Sequence, residues 1–184
     1  ADAESAMAGA QAVVVSTPNK YLLPLASAAL RGGRHALIEK PMCRNAEEAR
    51  ALRDGYAARP GLVLKVWFNH RYHPAVAEAR RRLRDGAIGR LLHVRAVYGH
   101  GGRAGYDREW RVNPELAGGG ELTDQGVHLL DLLCWFAGRP AWVFAQTRAW
   151  VWTRGEVEDN GFAMLGWSDG ALAQMHTSWT QWKN

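Results

Sequence analysis

The segment His35-Ala36-Leu37-Ile38-Glu39-Lys40-Pro41 decides the fold class of this chain. Its first four residues form a short apolar run, as in the buried strand of a parallel sheet, and the proline ends that strand. Asn45 and Glu48 follow at the spacing of a capping box, which predicts the start of a helix. We therefore expect Lys40 at the carboxyl end of a parallel strand, where open α/β sheets bind their ligands.

Two further apolar runs, Val13–Ser16 and Leu62–Phe68, lie on either side of this strand in the sequence. Helical patterns at Leu23–Arg31 and Ala46–Ala58 separate the runs from one another. Strands that alternate with helices are typical of parallel βαβ units. The pattern therefore predicts part of a doubly wound, Rossmann-type α/β domain over residues 1–70.

The hydrophobic pattern changes after Asn69-His70-Arg71-Tyr72-His73-Pro74. A helix at Pro74–Arg84 is followed by runs of alternating apolar and polar residues, which predict the strands of an antiparallel sheet. These runs are Leu91–Tyr98, Trp142–Trp152, Gly161–Trp167 and Ala171–Trp179. We therefore expect residues 71–184 to form an α+β domain on a mostly antiparallel, open β-sheet that a helix crosses.

The crossing helix contains Gly118-Gly119-Gly120-Glu121-Leu122-Thr123-Asp124-Gln125-Gly126-Val127-His128-Leu129-Leu130-Asp131. Asp124, His128 and Asp131 are four and three residues apart, which places their side chains on one face of a helix. The rest of the helix is apolar, so we expect this face to hold a proton-transfer group in a fixed orientation. Two alternatives remain open, a helix with a core histidine and a divalent metal site. The lone histidine, without a second His or Cys cluster, disfavours the metal site.

Three motifs occur in collinear order along the chain: Ala12-Val13-Val14-Val15-Ser16-Thr17-Pro18-Asn19, Glu39-Lys40-Pro41 and Gly118–Asp131. Together they resemble the glucose–fructose oxidoreductase / inositol dehydrogenase family of NAD(P)-dependent enzymes, over essentially the whole chain. The resemblance implies a Rossmann domain that binds NAD or NADP, followed by a substrate domain that forms homo-oligomers through its open β-sheet. It also implies hydride transfer at a secondary hydroxyl of a sugar, polyol or sugar derivative.

The glycine-rich turn of such a domain is missing from this sequence. A Rossmann domain opens with a strand, a G-x-G-x-x-G turn and a helix, and no such turn precedes the first strand. Gly99-His100-Gly101-Gly102-Arg103-Ala104 fits a looser pattern, but a loop follows it. Apolar residues alternate through Ser178–Asn184, as in an interrupted strand. We therefore expect an internal piece of a longer enzyme that turns over poorly by itself, or, as the alternative, a catalytically silent oligomerisation or binding module.

Oxidation of a secondary alcohol requires a base for the hydroxyl proton and a donor that stabilises the developing alkoxide. A neutral imidazole suits the first task near pH 7, and His128 is the candidate base. Asp124 could orient the ring or hold a substrate hydroxyl, and Lys40 would donate to the reacting oxygen. The family resemblance implies the same three catalytic residues. The alternative is a surface lysine together with a core histidine.

The resemblance also implies cofactor contacts from the loop after the first strand and from the glutamate and lysine after the second. These residues are Ser16, Thr17, Pro18, Asn19, Glu39 and Lys40. Leu22 stands where many members of the family carry a histidine, so any contact made by that histidine is absent here.

Candidate substrate residues lie near the predicted domain junction and in the loop before the glycine run. Besides Asp124 and His128 they are Asn69, Arg71, Tyr106 and Trp110. Aromatic rings and an arginine suit a polyol or sugar, because they offer stacking and hydrogen bonds. Packing within the loop is the alternative role for the two rings.

Composition narrows the remaining classes of function. The net charge is +5, which suits an anionic cofactor or a phosphorylated sugar. The cluster Arg80-Arg81-Arg82-Leu83-Arg84 spreads over the solvated side of one helix without interleaved aromatic residues, so a nucleic-acid surface is not indicated. Two cysteines, no signal peptide and no apolar run of membrane-spanning length predict a cytoplasmic protein.

Overall fold

The computed structural model describes residues 2–153 and 156–182; Lys183 and Asn184, the end of the expected interrupted strand, lie outside them. The α-helices are α1 (Ala3–Met7), α2 (Leu22–Arg31), α3 (Ala46–Ala57), α4 (Pro74–Arg84), α5 (Pro114–Ala117) and α6 (Val127–Ala137). The strands are β1 (Ala12–Val15), β2 (His35–Glu39), β3 (Leu64–Trp67), β4 (His93–Gly99), β5 (Trp142–Arg148), β6 (Asn160–Gly166) and β7 (Leu172–Ser178). Short 3-10 helices cover Asn19–Tyr21, Asn69–Tyr72, Tyr106–Arg108 and Trp110–Val112, and a π-helical turn covers Leu122–Gly126. None of the helices in the described residues has both the length and the apolar composition that crossing a membrane requires.

The chain divides into two compact units. The first unit consists of Ala1–Trp67 and Asn113–Gly118, and the second consists of Phe68–Val112 and Gly119–Asn184. The second unit therefore contains most of the glycine-rich segment, whereas the first contains Lys40.

The segment Asn113–Gly118 joins the first unit through two long-range hydrogen bonds. Nδ2 of Asn19 donates to the carbonyl oxygen of Ala117 at 2.8 Å. Nη1 of Arg44 donates to the carbonyl oxygen of Glu115 at 2.9 Å. Pattern reasoning did not find this connection, because each bond joins positions that are distant in the sequence.

A parallel sheet with the strand order β1-β2-β3 forms the centre of the first unit. Val15 pairs with Ile38 in the register of the sheet, and Ile38 pairs with Val66. Helix α2 packs against β1 and β2, and α3 packs against α2. Ile38, Leu30 and Leu52 are buried in the apolar core between these elements. The prediction of parallel βαβ units is confirmed.

The start of α3 contains only the first half of the predicted capping box. The backbone N–H of Glu48 donates to Oδ1 of Asn45 at 2.9 Å, as the capping box predicts. The Glu48 carboxylate does not return to Asn45. It accepts a hydrogen bond from the backbone N–H of Arg44 at 3.0 Å and another from Nε of that residue at 2.9 Å. An ion pair therefore replaces the second half of the box.

The sheet of the second unit has the strand order β4-β7-β6-β5 and is mostly antiparallel, as expected. The pairs β5-β6 and β6-β7 are antiparallel, because each joins strands that follow one another in the chain. Strand β4 instead runs parallel to β7, with Val97 opposite His176, so the prediction of antiparallel pairing is wrong for this strand. The chain between β4 and β7 contains α6 and is long enough for the crossover that parallel neighbours need.

Helix α6 covers one face of this sheet and leaves the other face exposed. Leu129 and Leu133 of the helix belong to one buried apolar cluster with Leu165, Ala173 and Met175 of the sheet. Strand β5 is exposed along its whole length. Large apolar side chains on the exposed face include Val97, Phe144, Phe162 and Met164.

The arginines of α4 pair with acidic residues close by in the sequence. Nε of Arg81 lies 2.8 Å from the Glu78 carboxylate, and Nε of Arg82 lies 2.7 Å from it. Arg84 pairs with Asp85 at 3.0 Å. The hydrogen bonds from Arg81 and Arg82 lower the pKa of Glu78 to about 2. Part of the basic run is therefore neutralised on its own helix.

Candidate active site

The candidate cofactor residues follow the ends of two adjacent strands in the first unit. Strands β1 and β2 pair in register, so Ser16–Asn19 and Glu39–Lys40 lie at the same edge of the parallel sheet. Glu39 and Lys40 are half-buried. The peptide bond between Lys40 and Pro41 is cis, and the backbone N–H of Lys40 donates to Oε2 of Glu39 at 3.2 Å. The sheet therefore brings together the two segments that the sequence analysis assigned to the cofactor.

Side chains in the loop after β1 differ in what they offer a ligand. Ser16 is exposed and Pro18 is half-buried. Asn19 is only 6% exposed, and its amide nitrogen is bonded to Ala117, so this side chain holds the loop in place. Oγ1 of Thr17 is buried and has no hydrogen-bond partner in the described residues. A buried hydroxyl without a hydrogen-bond partner lowers stability by about 1–3 kcal/mol. The loop therefore fits a ligand that supplies a hydrogen-bond partner, as the hydroxyls and phosphates of a dinucleotide do.

The glycine-rich segment of the second unit is not the single α-helix that the spacing predicts. Leu122–Gly126 forms a π-helical turn, and α6 begins only at Val127. A π-helix has i→i+5 hydrogen bonds and a wider turn, so the α-helical spacing rule does not apply to Asp124. Asp124 pairs with Arg111 and Asp131 pairs with Arg71, and the shared face of the two carboxylates and His128 stays a prediction.

Two glycines allow the backbone of this segment to approach other chain segments closely. A Cβ on Gly120 would lie 1.8 Å from the carbonyl oxygen of Glu158, which also accepts a hydrogen bond from the N–H of Glu121 at 2.9 Å. A Cβ on Gly126 would lie 3.2 Å from Cγ2 of Thr177 in β7. The glycines therefore set how closely the π-helical turn packs within the second unit.

His128, the candidate base, lies at the start of α6 and is 7% exposed. Its ring stacks on that of His70, with the ring centroids 4.1 Å apart and the planes 12° apart. Tyr98 and Phe68 meet the imidazole in edge-to-face contacts, both with a centroid distance of 6.2 Å. These contacts fix the orientation of the ring, which agrees with a base and equally with a core histidine. His70 is not among the residues predicted from the sequence, although it lies three residues after the end of β3, the last parallel strand of the first unit.

Asp124 belongs to a series of side chains in which acidic and basic groups alternate. Its Oδ2 lies 3.4 Å from Nε of Arg111, and Nη1 of Arg111 lies 3.3 Å from Oε2 of Glu109. Glu109 also pairs with the exposed Arg103. Burial lowers the pKa of His100 against the opposing charge of Asp124, so this imidazole adds no positive charge near neutral pH. Within the described residues, Arg111 therefore pairs with Asp124 as a cation, and His100 does not.

Arg71, a predicted substrate residue, is bonded to Asp131 instead. Nε donates to Oδ2 at 2.7 Å and Nη2 to Oδ1 at 2.5 Å, and these bonds raise the pKa of the Arg71 guanidinium. The guanidinium also lies 5.6 Å from the ring centroid of Trp135. Arg71 therefore holds the turn after β3 against α6. Asn69, in the same turn, is exposed.

The two aromatic candidates in the loop before the glycine run have different environments. Tyr106 is 2% exposed, and its ring lies 5.0 Å from that of Trp179 and 6.1 Å from that of Trp152. Burial raises the pKa of the Tyr106 hydroxyl. This environment supports the alternative role of packing, because neither face of the ring is open for stacking on a sugar. Trp110 is half-buried and lies 4.9 Å from the guanidinium carbon of Arg111.

Metal ligation was the alternative role for the acidic residues of the glycine-rich segment. Within residues 2–153 and 156–182, no group of three His, Cys, Asp or Glu side chains comes together in a way that could hold a metal ion. Asp124 and Asp131 pair with Arg111 and Arg71, and a guanidinium in that position repels a cation.

Known families match both halves of the chain. Residues 1–68 match the model described as the oxidoreductase family, NAD-binding Rossmann fold. Residues 76–184 match the GFO/IDH/MocA C-terminal domain.

Individual relatives agree with these matches. Levoglucosan dehydrogenase of Pseudarthrobacter phenanthrenivorans is 34% identical over 156 residues, which are 84% of this chain and 40% of the relative. D-Glucoside 3-dehydrogenase of Escherichia coli is 35% identical over 133 residues, 70% of this chain and 36% of the relative. A solved structure of levoglucosan dehydrogenase in complex with NADH and levoglucosan has a TM-score of 0.86 at 30% identity, over 93% of this chain and 48% of that one. This chain thus spans less than half the length of each. By sequence and by fold, the chain belongs to the GFO/IDH/MocA family of oxidoreductases.

Proposed function

We propose that this chain is part of an NAD(P)-dependent dehydrogenase that acts on a secondary hydroxyl of a sugar, polyol or sugar derivative. Residues 1–70 belong to its cofactor domain and residues 71–184 to its substrate domain. The observation that carries the proposal is the buried imidazole of His128, held between aromatic rings four residues after Asp124. The relatives named levoglucosan dehydrogenase and D-glucoside 3-dehydrogenase support the substrate class.

The chemistry divides among three side chains. A nicotinamide cofactor held at the edge of the parallel sheet would supply the hydride acceptor for the carbinol carbon of the substrate. A ring nitrogen of His128 takes the hydroxyl proton, and the Asp124 carboxylate, paired with Arg111, accepts a hydrogen bond from another substrate hydroxyl. Lys40 donates from Nζ to the reacting oxygen and stabilises its developing charge. The support for Lys40 is its position at the carboxyl end of β2 and the Glu-Lys-Pro motif that contains it.

For the cofactor we propose the edge of the parallel sheet in the first unit. Thr17 has the strongest support, because its buried Oγ1 lacks a partner in the described residues. Ser16, Pro18 and Glu39, together with Lys40, lie at the same edge. Asn19 contributes indirectly by holding the loop.

For the substrate we retain the candidates whose side chains are accessible. Asn69 is exposed and Trp110 is half-buried, and both join Asp124 and His128 in the proposal. Arg71 and Tyr106 are left out, because Arg71 is bonded to Asp131 and Tyr106 is buried.

Titration with NADH tests the cofactor assignment, with energy transfer from tryptophan to the nicotinamide as the signal. We expect saturable binding that Lys40→Ala weakens about tenfold, which corresponds to 1.4 kcal/mol. Lys65→Ala, on the exposed side of the neighbouring strand β3, is the matched control and should bind as the wild type does. Absence of saturable transfer, or equal losses in both variants, would contradict the cofactor site.

The second candidate role is homo-oligomerisation through the open sheet, which the exposed face of the second unit favours. Val97, Phe144, Phe162 and Met164 are 46%, 63%, 36% and 40% exposed, and contiguous apolar surface of this kind marks interaction sites. We propose a second copy of the chain as the partner. Sedimentation analysis should show an oligomer that Phe144→Glu dissociates and that Lys20→Glu, in the first unit, leaves intact. A wild-type chain that stays monomeric at all concentrations measured would contradict this role.

We also propose a cytoplasmic location. Cys43 and Cys134 are both free thiols. Unpaired cysteines are typical of a reducing compartment, where disulfides do not form.

A further inference from the structure

We propose that His70 is a positioning residue for His128, and that the two stacked imidazoles carry at most one positive charge between them near neutral pH. The inference rests on the proposed function, in which His128 is the base. It assigns a role to a residue that sequence patterns did not single out.

The geometry of the pair carries the inference. His70 lies in the 3-10 helix Asn69–Tyr72 and is half-buried. Its ring is nearly parallel to that of His128, with a centroid distance of 4.1 Å and an interplanar angle of 12°. Tyr98 of β4 contacts both rings, at 5.2 Å from His70 and 6.2 Å from His128. Both imidazoles are therefore confined by the same neighbour.

Two positive rings at this distance repel each other, so the second proton binds less readily than the first. A proton on His70 therefore opposes a proton on His128 and favours the neutral imidazole that a base requires. His70 thereby acts on the protonation of His128 as well as on the orientation of its ring.

Acidic groups near the pair affect its first proton, but they do not remove the repulsion between two charged rings. Asp131 is bonded to Arg71, which adjoins His70 in the sequence, and Asp124 is paired with Arg111. Burial raises the pKa of Tyr98, so its phenol stays neutral. Glu121, fully buried before the π-helical turn, raises the pKa of Tyr98 further through its charge, and a carboxylate there favours one proton on the pair while the second is still opposed by the first.

The test is an NMR titration of the imidazole carbons of the full chain with labelled histidine. In the wild type we expect His128 to titrate in a broad curve that the two rings share. In His70→Phe and in His70→Gln it should titrate in one step, with a midpoint about one pH unit higher. A rise in His70→Phe alone would overturn the proposal, because it would show attraction of a cation to the phenyl face and no charge coupling. An unchanged midpoint in both variants would also overturn it.

The reverse substitution, at His128, is a control that distinguishes charge coupling from a purely structural effect. The coupling free energy between two sites is equal in both directions, so His128→Phe should also turn the His70 curve into a single step, with a midpoint no lower than in the wild type. His73→Phe, an exposed histidine three residues further along, should leave His128 unchanged. None of these titrations needs cofactor or turnover, so they succeed or fail separately from the proposed function. If the enzyme is active, the acid limb of its pH–rate profile should move with the His128 midpoint.

Discussion

The cofactor edge of the first unit and the catalytic turn of the second are held together by different kinds of contact. In the first unit, strand ends place the cofactor loops, Asn19 adds one long-range hydrogen bond to Ala117, and the start of α3 is held by the neighbours Asn45 and Glu48. In the π-helical turn and α6, three polar side chains contact residues outside their own element: His128 stacks on His70, Asp124 pairs with Arg111 and Asp131 pairs with Arg71. Substitutions in the second region should therefore cost more stability than substitutions in the first.

Among the substitutions that test this comparison, Gly120→Ala should have the largest effect on the stability of the chain. The new Cβ would lie 1.8 Å from the backbone carbonyl oxygen of Glu158, which cannot rotate away as a side chain can. We expect the free energy of unfolding to fall by about 3 kcal/mol. The matched control is Gly55→Ala in α3, where the nearest atom is 3.9 Å away, and it should gain about 0.5 kcal/mol because alanine favours a helix. Urea denaturation measures both, and a Gly120→Ala chain of wild-type stability would contradict the close packing.

Arg71→Ala tests the long-range ion pair of the second unit. It leaves the Asp131 carboxylate, 8% exposed, without its guanidinium partner. We expect a loss of about 2 kcal/mol, less than for a fully buried pair because the Arg71 side chain is 39% exposed. Arg81→Ala breaks a solvent-exposed pair on α4 and should leave the thermal unfolding curve unchanged. Equal effects of the two substitutions would show that distant anchoring adds nothing.

Asn45→Ala tests how much a local contact, the cap of α3, contributes to stability. The substitution removes the oxygen that caps α3 and should cost about 1 kcal/mol. Asn45→Asp keeps an acceptor at the same place and should retain wild-type stability. The two variants can be compared by urea denaturation together with amide exchange in the first turn of α3. A loss greater than that caused by Arg71→Ala would reverse the proposed order of local and long-range contacts.

Sequence patterns predicted the elements that depend on local signals. They found the parallel strands of the first unit and the bounds of α4 at Pro74–Arg84. They failed for β4, whose direction is set by pairing with β7, and for the turn at Leu122–Gly126, which α-helical spacing describes as part of a helix. In both places the backbone follows contacts with distant segments, and a periodic pattern carries no information about those.

The sequence by itself determined the family, the order of a parallel α/β region before a mostly antiparallel sheet, and the candidate side chains at strand ends and in the glycine-rich segment. Tertiary structure decided which candidates are available, since Arg71 is bonded to Asp131 and Tyr106 is buried, and it added His70, which is stacked on His128. The reason is physical. Periodicity, caps and turns express preferences of neighbouring residues, whereas ion pairs and ring stacking depend on distances that exist only once remote segments have packed.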